Sequence, residues 1–167
     1  PWILDRAQEG WGILATSQYD SLVEAARKSR SFCHGDVAQR NFVVTGLGEY
    51  HIIDLDLTRR DIRVADLYKL FRDVMKKRRW DFRVARLILE GYSEVSLLGP
   101  EELSVLYALL CYPHKIIHLL LRYYVKREGK SYSWSTRKFI EKLHELGQQR
   151  DMIDTFLETF KSEYDIK

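Results

Sequence analysis

Apolar positions recur at helical spacing over most of the chain and turn to an extended pattern in one stretch near the front. Tyr19, Leu22, Val23 and Ala26 fall on one helical face, and the basic run Arg27-Lys28-Ser29-Arg30 suits the negative end of that helix. Thr16 or Ser17 stands where its N-cap is needed. Residues 1 to 15 mix apolar and polar positions, and Gly10 and Gly12 predict a short helix that gives way to a loop. The extended stretch comprises Ser31-Phe32-Cys33, Phe42-Val43-Val44 and Tyr50-His51-Ile52-Ile53. These runs are rich in β-branched and aromatic residues, and Gly46-Leu47-Gly48-Glu49 reads as the turn between the last two.

After Asp56 the extended pattern does not return. Asp61 is placed to cap a helix over about 62–79, with Val64, Leu67, Leu70, Phe71 and Val74 on one face. Asp81 is placed to cap another that carries Phe82, Val84, Ala85, Leu87, Ile88, Leu89 and Tyr92. Gly99-Pro100 restarts the chain into a long helical region over 101–128, bent or split at Pro113 and ended by Gly129. A polar aromatic link over 131–134 precedes a helix over 135–146, and beyond Gly147 a last helix runs from 148 to about 164. The pattern predicts a mainly helical α+β fold with one small β region, without internal repeats or low-complexity segments.

Composition narrows the class. A length of 167 residues suits one domain or one lobe of a larger protein, and 46% hydrophobic with 13% aromatic residues can fill a core. Lys and Arg number 27 against 24 Asp and Glu, and a net charge of +3 is too small to argue for nucleic acid. Lys76-Lys77-Arg78-Arg79 accordingly reads as a solvated helix end. Cys33 and Cys111 lack metal-ligand spacing and fit buried thiols, with a pairing between them left open. The N-terminus lacks the basic start and apolar core of a signal peptide. The most apolar window, 103–125, is interrupted by Pro113, His114, Lys115, His118 and Arg122 and reads as a buried helix pair. The first residue is not Met, which predicts that the chain begins inside a longer protein or after a removed leader. His114 and His118 share a helical face but lack a third ligand and the Glu of a zinc hydrolase. The four tryptophans, Trp2, Trp11, Trp80 and Trp134, are expected to pack between elements.

The candidate chemistry concentrates in His34-Gly35-Asp36-Val37-Ala38-Gln39-Arg40-Asn41 and in Ile52-Ile53-Asp54-Leu55-Asp56. Asp36 and Asn41 lie five apart on a tight loop, and the hairpin brings Asp54 back beside them. Three oxygen-bearing side chains in this arrangement suit a magnesium–phosphate complex, one orienting an attacking hydroxyl and two holding the metal. Either loop residue alone would read as a turn former. The three together, in this order and with matched strands, carry the chemical reading.

The same residues carry a resemblance. His34-Gly35-Asp36, then Asn41, then Ile53-Asp54 after strand, turn and strand resembles the catalytic loop and metal-binding Asp of the protein-kinase-like fold. The Gly after the His is similar to the aminoglycoside phosphotransferase and choline kinase branch, and the phrasing HGDVAQRNF and IIDLDLTRRDIRVADLYK resembles the CotS-type spore coat proteins of endospore-forming bacteria. The resemblance implies that Asp36 is the base and that Asn41 and Asp54 are magnesium ligands on the ATP phosphates. It implies further that Asp66 braces the loop through its backbone and that His34 anchors it. Ala38 stands where protein kinases carry a phosphate-steadying Lys, and Arg40, the nearest cation, is either a substitute or an exposed loop residue. Asp56 replaces a usual Gly and is either a further metal or substrate contact or a cap.

No Gly-rich phosphate loop, strand Lys or partner Glu helix precedes residue 31. The resemblance therefore implies a linker and helix over 1–30 and a kinase-like C-terminal lobe over 31–167, with weak or absent ATP binding by this chain alone. For the parent protein it implies a hydroxyl acceptor, ATP and Mg2+, other spore-coat proteins as partners, neither specific nucleic-acid binding nor a membrane span, and a place in the mother-cell cytoplasm or the spore coat. Ala38 and Asp56 motivate the alternative, a non-catalytic spore-coat structural or interaction protein that keeps the fold.

Overall fold

A computed structural model describes residues 2–124 and 135–167. Its helices are α1 (Trp2–Thr16), α2 (Tyr19–Ser29), α3 (Val64–Lys77), α4 (Phe82–Val95), α5 (Pro100–Cys111), α6 (His114–Tyr124), α7 (Thr136–Gly147) and α8 (Arg150–Glu163). Its strands are β1 (Phe32–Cys33), β2 (Phe42–Val44), β3 (Tyr50–Ile52) and β4 (Arg59–Arg60). The architecture is the mainly helical α+β one that the apolar periodicity predicts.

The core forms around α5, which is apolar on every side and buries Val105, Leu106, Tyr107, Ala108, Leu110 and Cys111. Helices α1, α2, α3 and α8 pack on it. Phe71 and Met75 of α3 and Phe156, Leu157 and Phe160 of α8 complete the buried cluster. Arg63 grips Glu102 with two bonds of 2.6 and 2.7 Å, joining the start of α3 to α5. Glu102 also accepts from Gly99 N at 3.0 Å, which closes the first turn of α5 after the Gly99-Pro100 restart. The segment Pro100–Tyr124 is long and apolar enough, by length and composition, to cross a membrane. Pro113 splits it into α5 and α6, as its position predicts.

Several local expectations are corrected. Helix α1 runs unbroken through Gly10 and Gly12. Gly10 sits where α1 crosses α5, and a Cβ there would stand 2.7 Å from Ala108 O and 3.1 Å from Cys111 Cβ, so this glycine permits close packing and does not end the helix. Thr16 and Ser17 do not cap α2. Thr16 Oγ1 bonds back to Gly12 O at 3.0 Å and Ser17 Oγ to Leu14 O at 2.8 Å, closing α1 from behind. Extended structure does return after Asp56: β4 pairs antiparallel with β1, Phe32 opposite Arg60 and Cys33 opposite Arg59. Two arginines carry no apolar alternation, so the strand is silent in the pattern. Asp61 accepts from Ile62 N and Arg59 Nε, both at 2.9 Å, and the helix starts at Val64 with Arg63 at its N-cap. Trp11 is 71% exposed and packs between no elements.

Other expectations hold. Asp81 accepts from Arg83 N at 3.0 Å at the start of α4, and Lys76 to Arg79 form an exposed helix end. Trp80 packs against Phe156 with ring centroids 5.3 Å apart, and Trp2 Nε1 donates to Asp154 at 2.8 Å. Cys33 and Cys111 are free, buried thiols. Burial, reinforced by Asp66 for Cys33 and by Glu9 for Cys111, pushes them up to about 11 and about 12. The His114 and His118 rings stack 6.1 Å apart. Gly129 and the 131–134 link, including Trp134, lie outside the described residues.

The two helix glycines should separate in urea denaturation. Gly10→Ala is expected to cost about 2 kcal/mol by forcing the α1–α5 contact apart. Gly12→Ala, whose Cβ would meet nothing within 4 Å, is expected to be neutral or to stabilise by about 0.5–1 kcal/mol.

Candidate active site

The loop that follows β1 is held at both ends by α3. Asp66, in the first turn of α3, turns its carboxylate onto two successive backbone amides: Oδ2 accepts from His34 N at 2.6 Å and Oδ1 from Gly35 N at 2.9 Å. Asp73, seven residues further along the same helix face, accepts from Gln39 N at 2.9 Å. Lys77 Nζ joins that end of the loop, donating to Gln39 Oε1 at 3.0 Å and to Asp73 Oδ2 at 3.2 Å. Burial would raise the Asp73 carboxyl, but the Gln39 amide and Lys77 outweigh it and hold the group below its usual range.

Within the loop the backbone permits few residues. Gly35 has φ +80°, and a Cβ there would lie 2.1 Å from Leu57 O, so a side chain is excluded by both conformation and space. His34 is buried and satisfied on both ring nitrogens: Nε2 donates to Ile53 O at 2.9 Å, and Nδ1 accepts from Asp36 N at 3.3 Å. These partners define the Nε2–H tautomer, so the ring acts as a strut between loop and hairpin.

Asn41 closes the arrangement. It is 4% exposed, and its Nδ2 donates to Asp36 O at 2.8 Å, with a longer approach of 3.5 Å to Asp36 Oδ2. Its backbone carbonyl accepts from Ile53 N at 3.0 Å. The β2–β3 pairing, Phe42 opposite Ile52, continues this contact into a short hairpin. Ile53 is thus gripped by His34 on one side and Asn41 on the other, and Asp54 is the next residue in the chain.

Asp54 has φ 68° and ψ 60°, in the left-handed region that Asp tolerates better than most residues. Its exposed side chain makes neither a hydrogen bond nor an ion pair among the described residues. A strained backbone that leaves a carboxylate free is a feature of ligand sites. Asn41 Oδ1, with the amide nitrogen committed to Asp36, and the Asp54 carboxylate, one residue beyond Ile53, are hard oxygen donors. Magnesium bound to phosphates needs only one or two such protein ligands, so these donors fit it.

Asp36 adjoins Asn41, with Arg40 Nη2 2.5 Å from its Oδ2. Arg40 is otherwise exposed, and Ala38 is buried at the position two after Asp36. Asp56 is exposed on the 3-10 turn Leu55–Leu57 and caps nothing among the described residues. The structure thus brings together Asp36, Asn41, His34, Asp66 and Arg40, and sets Asp54 one residue beyond Ile53, which His34 and Asn41 hold. It adds Asp73, which sequence reasoning missed although its spacing of seven from Asp66 was a legible signal.

Comparison with known proteins gives the family and the fold. The profile of the phosphotransferase enzyme family matches residues 4–104, a span that includes every residue of the loop, the hairpin and the Asp66–Asp73 face. The chain belongs to the phosphotransferase enzyme family. Its structure is similar to the crystal structure of an aminoglycoside phosphotransferase from Alicyclobacillus acidocaldarius subsp. acidocaldarius DSM 446, with a TM-score of 0.83 at 22% identity. The match covers 98% of this chain and 47% of that one, so the chain spans about half the length of its structural relative. This likeness establishes the protein-kinase-like fold. No curated protein matches the chain.

In this phosphotransferase-family chain the brace on the loop is testable by itself. Asp66→Ala strips two amides of their acceptor and is expected to cost about 2–4 kcal/mol in urea denaturation. It should also speed hydrogen exchange at His34 and Gly35, with Asp66→Asn in between. Unchanged exchange at those two amides would contradict the brace.

Proposed function

We propose that this chain is the C-terminal lobe of a kinase-like phosphotransferase that passes the ATP γ-phosphoryl group to a hydroxyl of an acceptor. The observation that carries the reading is the double grip of His34 and Asn41 on Ile53, the residue before Asp54. Asp36 is the base. Its Oδ2 faces Arg40, and its Oδ1 is the oxygen that takes the hydroxyl proton as the acceptor oxygen bonds to phosphorus and ADP departs. Asn41 and Asp54 would hold Mg2+, which supplies charge neutralisation on the phosphates when bound. His34 and Asp66 keep these groups in register, which matters because phosphoryl transfer depends mainly on positioning and charge. Arg40 is an accessory cation at Asp36, and Asp56 an accessory exposed carboxylate beside Asp54.

Two observations support the lobe assignment. The chain spans about half of its structural relative, and the hairpin with the turn after it displays exposed Leu47, Tyr50, Leu55 and Leu57, a surface suited to cover by an ATP-binding lobe. In this reading residues 1–30 are the linker and helix that lead into the lobe, and the chain alone binds ATP weakly or not at all.

Within the family, the motif phrasing around His34–Phe42 and Ile52–Lys69 supports a CotS-type spore coat protein, with other coat proteins as partners and a location in the mother-cell cytoplasm or the spore coat. A second reading, a non-catalytic coat component, draws on Ala38 and on the engagement of Arg40 with Asp36. Together these leave the loop without a cation uncommitted to Asp36 for the transferring phosphate.

Joining the chain to an ATP-binding lobe and assaying magnesium-dependent ATP turnover distinguishes the two. Catalysis predicts a loss of at least about 100-fold in Asp36→Ala. Equal turnover with and without Asp36, or none in either, favours the coat component.

A further inference from the structure

A second concave site lies away from the loop. Helix α3 presents Asp66 and Asp73 to the loop, while Tyr68 and Arg72, on its opposite side, face a cavity of about 70 Å3 closed by residues from α1, α5, α6 and α8. That volume accommodates a few waters or one small ring. None of residues 34–41 lines it, nor does Asp54.

The walls are apolar and aromatic, with Trp2, Leu110, Ile116 and Leu157 among them, and the charged side chains among the polar ones are the cations Arg6, Arg72 and Lys115. No Asp or Glu lines the cavity among the described residues. Arg6 is already neutralised, by Glu9 at 2.6 Å and Asp154 at 2.8 Å. Arg72 and Lys115 form no ion pair among the described residues, and Arg72 stacks over the Tyr68 ring at 5.4 Å. Lys115 is pushed down to about 8 by burial and by the neighbouring Lys76 and Arg72, with Asp73 offsetting only part of this. Trp80, also in the lining, carries a buried indole N–H without an acceptor among the described residues.

Leaving a buried donor unpaired and a cation uncompensated is costly, and an anion entering the cavity would relieve both. The apolar walls add a second requirement. Inorganic phosphate would satisfy the charges and waste the rings, and a neutral hydrocarbon would do the reverse. We propose that this cavity is a binding site for a small aromatic anion, its carboxylate or phosphate oxygens held by Lys115, Arg72 and Trp80 Nε1–H and its ring lying among the aromatic walls.

Ligand-detected NMR on the 167-residue chain with benzoate, phenyl phosphate, benzyl alcohol and inorganic phosphate tests this. Benzoate and phenyl phosphate are expected to bind saturably, at least about tenfold tighter than the other two. Lys115→Gln and Arg72→Gln, with folding checked by circular dichroism, should each weaken benzoate binding at least about fivefold, while Lys28→Gln on α2 changes nothing. If one variant fails to fold, the other and the benzoate-to-benzyl-alcohol ratio decide. Absence of saturable benzoate binding, equal binding of benzyl alcohol, or indifference to the folded variants would overturn the proposal.

Discussion

The rest of the site depends on one carboxylate. Asp66 accepts from two successive backbone amides of the loop, and no other residue type offers two coplanar acceptors at that reach from the first turn of a helix. The same helix takes the far end of the loop through Asp73, and buries Leu67 and Phe71 in the core between those two contacts. Loop geometry is thereby tied to the buried core. A catalytic arrangement on an otherwise irregular segment needs this kind of support to hold its oxygens within a fraction of an ångström.

The left-handed Asp54 and the tight Gly35 turn belong to the same logic. Gly35 meets its turn by lacking the side chain that Leu57 O would exclude, and the backbone before Asp54 is held by His34 and Asn41 on either side of Ile53. The charges are also divided between the two sides of α3. Carboxylates face the loop, where a cation is expected, and Arg72 and Lys115 border a cavity without carboxylates on the other side.

Much of this was legible in the sequence, and the reasons are specific. His34, Gly35, Asp36, Asn41 and Asp54 could be read because their order and the β-branched runs between them leave little choice of how the hairpin returns the chain. Asp66 could be read only through family resemblance, since a lone Asp near a helix start ordinarily suggests a cap. What escaped was set by tertiary contact. Gly10 reads as a breaker until α5 is placed against it, and β4 exists because β1 needs a partner. Thr16 and Ser17 found acceptors in the helix behind them and not in the helix ahead. The pairing of Arg40 with Asp36 needed the loop to fold before the two side chains could meet.

In the proposed function Asp66 and the hairpin hold Asn41 and Asp54 as oxygen ligands for a nucleotide-bound cation. This role is tested most directly by paramagnetic broadening with Mn2+ and ADP on the chain joined to an ATP-binding lobe. Amide signals around Asn41 and Asp54 are expected to broaden first, and Asp66→Ala to abolish this selectivity. Broadening centred elsewhere, or the same pattern in the Asp66 variant, would contradict it.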